Sequence, residues 1–168
     1  MKPLNYLRKL LGSLAFFIVI MFALTATGLF DSTRTTSPED IAEHEIQLRI
    51  KAETGQADAQ NELGALLYKR AQKGSGSFDE AISSLNEASA QDHPIAQMNL
   101  AYAYKRGHGV TANNDKAIEL FHHSGLNFLR IGDILNAKDR IYNINRINAI
   151  HPLKRDLVDA IARFEEAQ

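Results

Sequence analysis

The chain has 168 residues, a length that corresponds to one folded domain. Apolar residues make up 45% and charged residues 23%, which is typical of globular proteins and argues against a mainly disordered chain. The net charge of −1 gives no indication of a nucleic-acid-binding surface. The absence of cysteine excludes disulfides, thiolate catalysis, cysteine-ligated metal sites and a lipid-modified cysteine anchor.

The N-terminal part of the chain contains a long uncharged run. It extends over 21 residues from Leu10 to Phe30, and as an α-helix it would be about 31 Å long, close to the hydrocarbon thickness of a bilayer. The three charged residues before the run are all basic. By the positive-inside rule, residues 1–9 are predicted to be cytoplasmic and residues 10–30 to form a transmembrane helix.

A cleaved signal peptide is the alternative interpretation of this run. Ala26-Thr27-Gly28 is the nearest match to a small-x-small processing site, and the length of the run favours an uncleaved anchor. Both interpretations place residues 31–168 on the side of the membrane opposite to the cytoplasm. The predicted location is therefore a bacterial inner membrane with a periplasmic domain, or the periplasm after cleavage. Residues 31–168 carry 16 basic and 20 acidic side chains, a net charge of −4.

A short polar linker and a well-marked helix start follow the run. Residues 31–37 lack apolar periodicity and are predicted to be the linker. Ser37 is placed to cap a helix, and Pro38 suits the first helical position. A helix is predicted over about 38–54, with Gly55 as its stop.

The middle of the chain repeats itself. The segment that starts at Ala59 aligns with the one that starts at Ala96, at an offset of 37 residues. A helical repeat of this length predicts an α-solenoid, in which helix pairs stack to bury their apolar faces. The apolar stripes of the two first helices are Ala59, Leu63 and Leu67, and Ala96, Leu100 and Tyr104.

Small residues recur at matched positions of the two units. We expect the small residues on the helices to let neighbouring helices approach closely. The glycines after the first helix of the second unit are expected to need positive φ. The helix positions are Gly64, Ala81, Ala101 and Ala117, and the connecting glycines are Gly107 and Gly109.

The second unit resembles a Sel1-like repeat, a relative of the tetratricopeptide repeat. The family pattern A-x-x-x-L-G-x-x-Y-x-x-G-x-G-V, followed by K-A in the second helix, is matched from Ala96 to Val110 and at Lys116-Ala117. The sequence departs from this pattern at Ala101, where glycine is usual, and at Asn113, where aspartate is usual.

The first unit is a weaker match to the same pattern. Leu67 stands where tyrosine is usual, and its Gly74-Ser75-Gly76 loop lies four residues late relative to the second unit. The resemblance covers about residues 52–125. The pattern positions retained in the first unit are Ala59, Leu63, Gly64 and Ala81.

The remaining sequence is also predicted to be helical. His151-Pro152 breaks the chain before a last helix over about 153–166, which is expected to cap the solenoid. The predicted fold is therefore all-α: a short Sel1-like/TPR-like solenoid over residues 38–168, preceded by an N-terminal transmembrane helix. A loose tetratricopeptide spacing is formed by Phe128, Gly132, Ala137, Ile141 and Ile144.

The resemblance implies that the first helix of each pair lines a concave, partner-binding face. Side chains off the packing stripe should point into this face, although Met98 and Tyr102 could instead pack between helices. The candidate partner-binding residues are Asn61, Ala65, Tyr68 and Lys69 in the first unit and Met98, Tyr102, Lys105 and Arg106 in the second.

No nucleotide-binding or hydrolase motif appears in the sequence. Glu119, His122 and His123 have a spacing that would place a carboxylate near imidazoles, but further metal ligands are not evident and a solvated helix edge is the simpler interpretation. We therefore predict no catalytic residue, no metal and no cofactor.

The predicted function is a non-enzymatic, membrane-tethered periplasmic adapter or scaffold. Its protein partners would be envelope or membrane proteins, and it would act as a subunit or regulator of an envelope complex. The alternative is a cell-wall-related enzyme or ligand-binding protein. Because two and a half repeats make a short solenoid, a second copy of the chain is a further predicted partner.

Overall fold

The computed structural model describes residues 38–168, which form seven α-helices and contain no strand. The all-α prediction is confirmed for this part of the chain. None of these seven helices has the length and hydropathy of a membrane span. The predicted transmembrane helix at 10–30 and the predicted linker at 31–37 lie outside the described residues. The helices are α1 (Pro38–Glu53), α2 (Ala57–Gln72), α3 (Phe78–Ala90), α4 (Pro94–Arg106), α5 (Asn114–Arg130), α6 (Ile134–Asn145) and α7 (Pro152–Glu166).

Backbone contacts divide the chain into a unit of residues 1–41 and a unit of residues 42–168. Of the first unit, only residues 38–41 are described. In the second unit each helix from α2 onwards packs on the next, α2 also approaches α4, and α7 contacts both α5 and α6. This order of contacts is that of a helical solenoid.

Local sequence explains where the helices begin. Asn113 accepts a hydrogen bond from the Lys116 amide at 2.9 Å, so asparagine caps α5 in the position where the Sel1-like pattern has aspartate. His151 caps α7 in a similar way through Nδ1, and Pro152 occupies the first helical position. The predicted break at His151-Pro152 is thus confirmed as a helix start.

Helix length explains the displaced loop of the first unit. α2 has 16 residues and α4 has 13, so α2 continues for almost one further turn. The extra residues of the first unit therefore lengthen its first helix, and its loop starts later in the sequence. Gly74 then follows in the left-handed conformation, with φ +77°.

The core consists of three apolar clusters that follow one another along the stack. The predicted stripes are confirmed as core, except that Tyr104 is only half-buried. The buried members of the clusters are Leu48, Ala52, Ala59, Leu63, Leu67 and Ala81; then Ile82, Leu85, Ala88, Ala96, Leu100 and Ala103; then Ala101, Ile118, Phe121, Phe128, Leu129, Ala137, Ile144, Leu157 and Ile161.

Gly64 marks a point where two helices approach closely. A Cβ atom at this position would lie 2.7 Å from Leu85 Cγ and 3.1 Å from the carbonyl oxygen of Ala81. The absence of a side chain therefore allows α2 to pack directly on α3, as the sequence predicts. The other small residues predicted at helix contacts are also fully buried: Ala81, Ala101 and Ala117.

Two arginines neutralise the half-buried carboxylate of Glu45. Arg49 contacts it within α1 at 3.0 Å, and Arg70 of α2 forms a second ion pair. Burial raises the pKa of Glu45, but the hydrogen bonds and charges of Arg49 and Arg70 together outweigh it, so the pKa lies below its usual 4.5. The charged form is therefore the one that the folded state stabilises.

Because folding lowers the pKa of Glu45, its stabilising contribution is present above about pH 4.5 and is lost as pH falls through the folded-state value. Glu45→Gln should reduce the free energy of unfolding at pH 7, and the difference from the unsubstituted protein should shrink on acidification. Urea denaturation from pH 7 down to about pH 3 measures this difference. A difference that stays constant with pH would contradict the assignment.

Candidate partner-binding site

A groove of about 370 Å³ lies between α2 and α4, the first helices of the two repeat units. Side chains of both helices line it, and one buried residue of α3 completes it. We call this site the α2/α4 groove. Its lining residues are Ala65, Tyr68, Lys69 and Gln72 of α2, Leu85 of α3, and Asn99, Tyr102 and Arg106 of α4.

The structure brings together part of the predicted partner-binding set. Tyr68 and Lys69 line the groove from α2, and Tyr102 and Arg106 line it from α4. Asn61 is not a lining residue, but its Oδ1 accepts a hydrogen bond from the lining residue Asn99 at 3.2 Å.

Met98 and Lys105 are not among the residues that line the groove. Met98 packs against the cluster formed by α4 to α7, in agreement with the alternative of packing between helices. Lys105 is half-buried.

Sequence reasoning missed three lining residues. Asn99 lies three residues before Tyr102, and Gln72 lies three residues after Lys69, so helical periodicity alone would have placed both on the groove side. Leu85 has no such signal because it belongs to α3. Its place in the lining depends on the close packing of α3 against Gly64.

Two basic side chains give the α2/α4 groove its charge. Lys69 and Arg106 are exposed, one on each helix, and the eight lining residues include no carboxylate. Within residues 38–168 neither side chain has an ion-pair partner, whereas the adjacent Arg70 is paired with Glu45. The Arg106 guanidinium lies 5.2 Å from the centre of the Tyr102 ring, within cation–π range.

Contacts outside the groove hold Tyr102 in place. Its hydroxyl donates a hydrogen bond to Asn143 Oδ1 of α6 at 2.8 Å. Its ring meets Phe121 of α5 edge to face, with centres 5.1 Å apart. The second repeat and the following helix therefore both position this groove side chain.

Tyr68 is held by the loop that follows α4. Its hydroxyl lies 2.8 Å from His108 Nδ1, and its ring contacts Phe78 edge to face at 5.1 Å. Gly109, with φ +71°, lies against Phe78 and brings this loop onto the start of α3. Both tyrosines of the α2/α4 groove are thus anchored by tertiary contacts.

The histidine-containing segment does not form a comparable site. Glu119 accepts a hydrogen bond from Lys116 at 3.1 Å, and His122 Nε2 lies 2.7 Å from Asp156 Oδ2 of α7. The interpretation as a solvated helix edge is wrong for His122, which is only 7% exposed because α7 packs over α5. Among residues 38–168 no group of three or more His, Asp or Glu side chains is placed to hold a metal ion.

Comparison with known protein families identifies the two central units. The model of the Sel1 repeat matches residues 57–93, which contain α2 and α3, and residues 94–122, which contain α4 and the first half of α5. Comparisons with curated proteins and with solved structures gave no match. Sel1 repeats generally mediate protein–protein interaction and are typically non-catalytic modules. Two Sel1 repeats are therefore present in this chain, at residues 57–122.

Proposed function

We propose that this chain is a non-enzymatic adapter that holds a segment of a partner protein in the α2/α4 groove. The observation that carries the proposal is the origin of the groove, whose walls are the first helices of two consecutive Sel1 repeats. Seven of the eight lining residues belong to α2 or α4 and lie off the apolar stripes of these helices, and Lys69, Arg106 and Gln72 are exposed. These three side chains are available to a partner, whereas Tyr68 and Tyr102 also pack against core clusters.

We further propose that the adapter works at the bacterial inner membrane. The uncharged run at 10–30 and the basic residues before it support a single-pass anchor with the repeats in the periplasm. An anchored adapter would restrict its partner to the membrane surface, as expected for a subunit or regulator of an envelope complex. Release to the periplasm after cleavage is the alternative for the same sequence features.

Filling the α2/α4 groove should abolish partner capture. A photo-crosslinking amino acid at position 72 of the tagged full-length protein keeps both basic side chains of the groove and is expected to trap the partner in living cells. Ala65→Trp places an indole among the lining residues and should remove the crosslinked product. Mass spectrometry of the product identifies the partner, and the N-terminal peptide of the bait reports whether residues 10–30 are retained.

Ala162→Trp is the matched control, since Ala162 is also an exposed alanine on a helix, but on α7. It should leave the crosslinked product unchanged. Both variants should keep the helical circular dichroism spectrum. Equal capture by the two tryptophan variants would show that the partner passes the crosslinker without occupying the groove, which would contradict the proposal.

A further inference from the structure

We infer that the α2/α4 groove selects an acidic segment of its partner, in which an aspartate or glutamate lies next to an apolar side chain. The inference rests on the proposed function and adds to it the chemistry of the partner. Lys69 and Arg106 provide the charge complementarity, and the two tyrosine rings provide the apolar surface.

The charge of the groove is opposite in sign to the net charge of residues 31–168. Residues 31–168 carry 16 basic and 20 acidic side chains, whereas the groove lining carries two basic side chains and no acidic one. An acidic segment would be attracted locally to Lys69 and Arg106, although the domain as a whole repels it. Such a local patch favours one orientation of the partner and raises the rate of association.

The geometry of Arg106 suits a carboxylate. Its guanidinium lies over the Tyr102 ring, and no carboxylate in residues 38–168 pairs with it. A guanidinium presents parallel N–H donors that match the two oxygens of a carboxylate. Lys69 supplies a second charge from α2, without a directional requirement.

The remaining lining residues suit the rest of such a segment. Tyr68 and Tyr102 are only half-buried and offer aromatic surface for a neighbouring side chain. The side-chain amide of Gln72 makes no hydrogen bond within residues 38–168, so both its donor and its acceptor are available to a peptide backbone. This combination favours a peptide over a small anion.

A random 12-residue peptide library displayed on phage, selected on the detergent-solubilised full-length protein, tests the inference. Peptides with aspartate or glutamate beside an aromatic or aliphatic residue should be enriched. Affinity for the most enriched synthetic peptide should fall at least about tenfold in the double variant Lys69→Glu/Arg106→Glu. It should also weaken as salt concentration rises.

The control is Arg155→Glu/Arg163→Glu, which changes the net charge equally through two exposed arginines of α7. It should keep the affinity within about twofold, because α7 does not line the groove. An equal loss in the two double variants would mean that overall charge, not the groove, attracts the peptide. That result would overturn the inference.

Other outcomes separate this inference from the proposed function. Enriched peptides that lack acidic residues, yet lose binding in Ala65→Trp, would overturn the acidic preference and leave the groove as the binding site. Enriched peptides that bind Ala65→Trp unchanged would overturn both. If no peptide is enriched, the acidic-segment inference fails, and crosslinking at position 72 decides the proposed function independently.

Discussion

Leu100→Ala is expected to lower the free energy of unfolding by about 2–5 kcal/mol. Leu100 is 1% exposed and lies in the cluster between α3 and α4. Its neighbours include Ala96 and Ala103, whose short side chains cannot extend into the cavity that the substitution leaves. Urea denaturation of the purified protein, followed by helical circular dichroism, measures the loss.

Leu135→Ala provides the matched control, because Leu135 is also a helical leucine but is 82% exposed. It should change the free energy of unfolding by less than about 0.5 kcal/mol. Similar small losses in both variants would show that Leu100 is not a core residue. The repeat register that places it there would then be wrong.

Gly109→Ala is expected to destabilise the fold by about 2–4 kcal/mol, through backbone strain and overpacking together. The residue has φ +71°, which L-residues rarely adopt. Its new Cβ would lie 2.5 Å from Phe78 Cβ and 2.9 Å from Ile82 Cγ1. Because Phe78 Cβ is next to the backbone, rotation of the ring cannot relieve this clash and α3 must shift.

Gly74→Ala separates the two causes. Gly74 has φ +77°, but nothing lies within 4 Å of a Cβ added there. Only the backbone strain, about 1–2 kcal/mol, should remain. Thermal or urea denaturation gives the loss of unfolding free energy in each variant. The difference between the two losses measures how closely the loop at Gly109 packs on α3. Equal losses would mean that this loop does not pack closely on the helix.

The features that the sequence predicted well are local or periodic. The stripe around Leu63 and Leu100, the positive φ of Gly107 and Gly109, and the helix start at Pro152 depend on neighbours a few residues away. Such features are encoded by spacing and by the conformational range of single residues.

The features that it missed depend on residues distant in sequence. The Tyr102 hydroxyl meets Asn143, 41 residues away, and His122 meets Asp156, 34 residues away. Neither pairing can be read from helical periodicity, which fixes the face of a helix but not its neighbour. For the same reason periodicity leaves two places open for Met98, the concave face or the space between helices, and in the structure it packs against the cluster of α4 to α7.

The anchoring of Tyr102 has a consequence for how the α2/α4 groove adapts to its partners. Asn143 and Phe121 fix the Tyr102 ring before a partner binds. The Tyr102 side chain therefore loses little conformational entropy when a partner packs against it. Lys69 has no such restraint, and ordering its side chain opposes binding by up to about 2 kcal/mol. The Tyr102 ring is thus preorganised for binding, whereas the Lys69 side chain must be ordered when a partner binds. The groove should therefore bind different partner segments that place the same residue against Tyr102, even when these segments differ in the residue opposite Lys69.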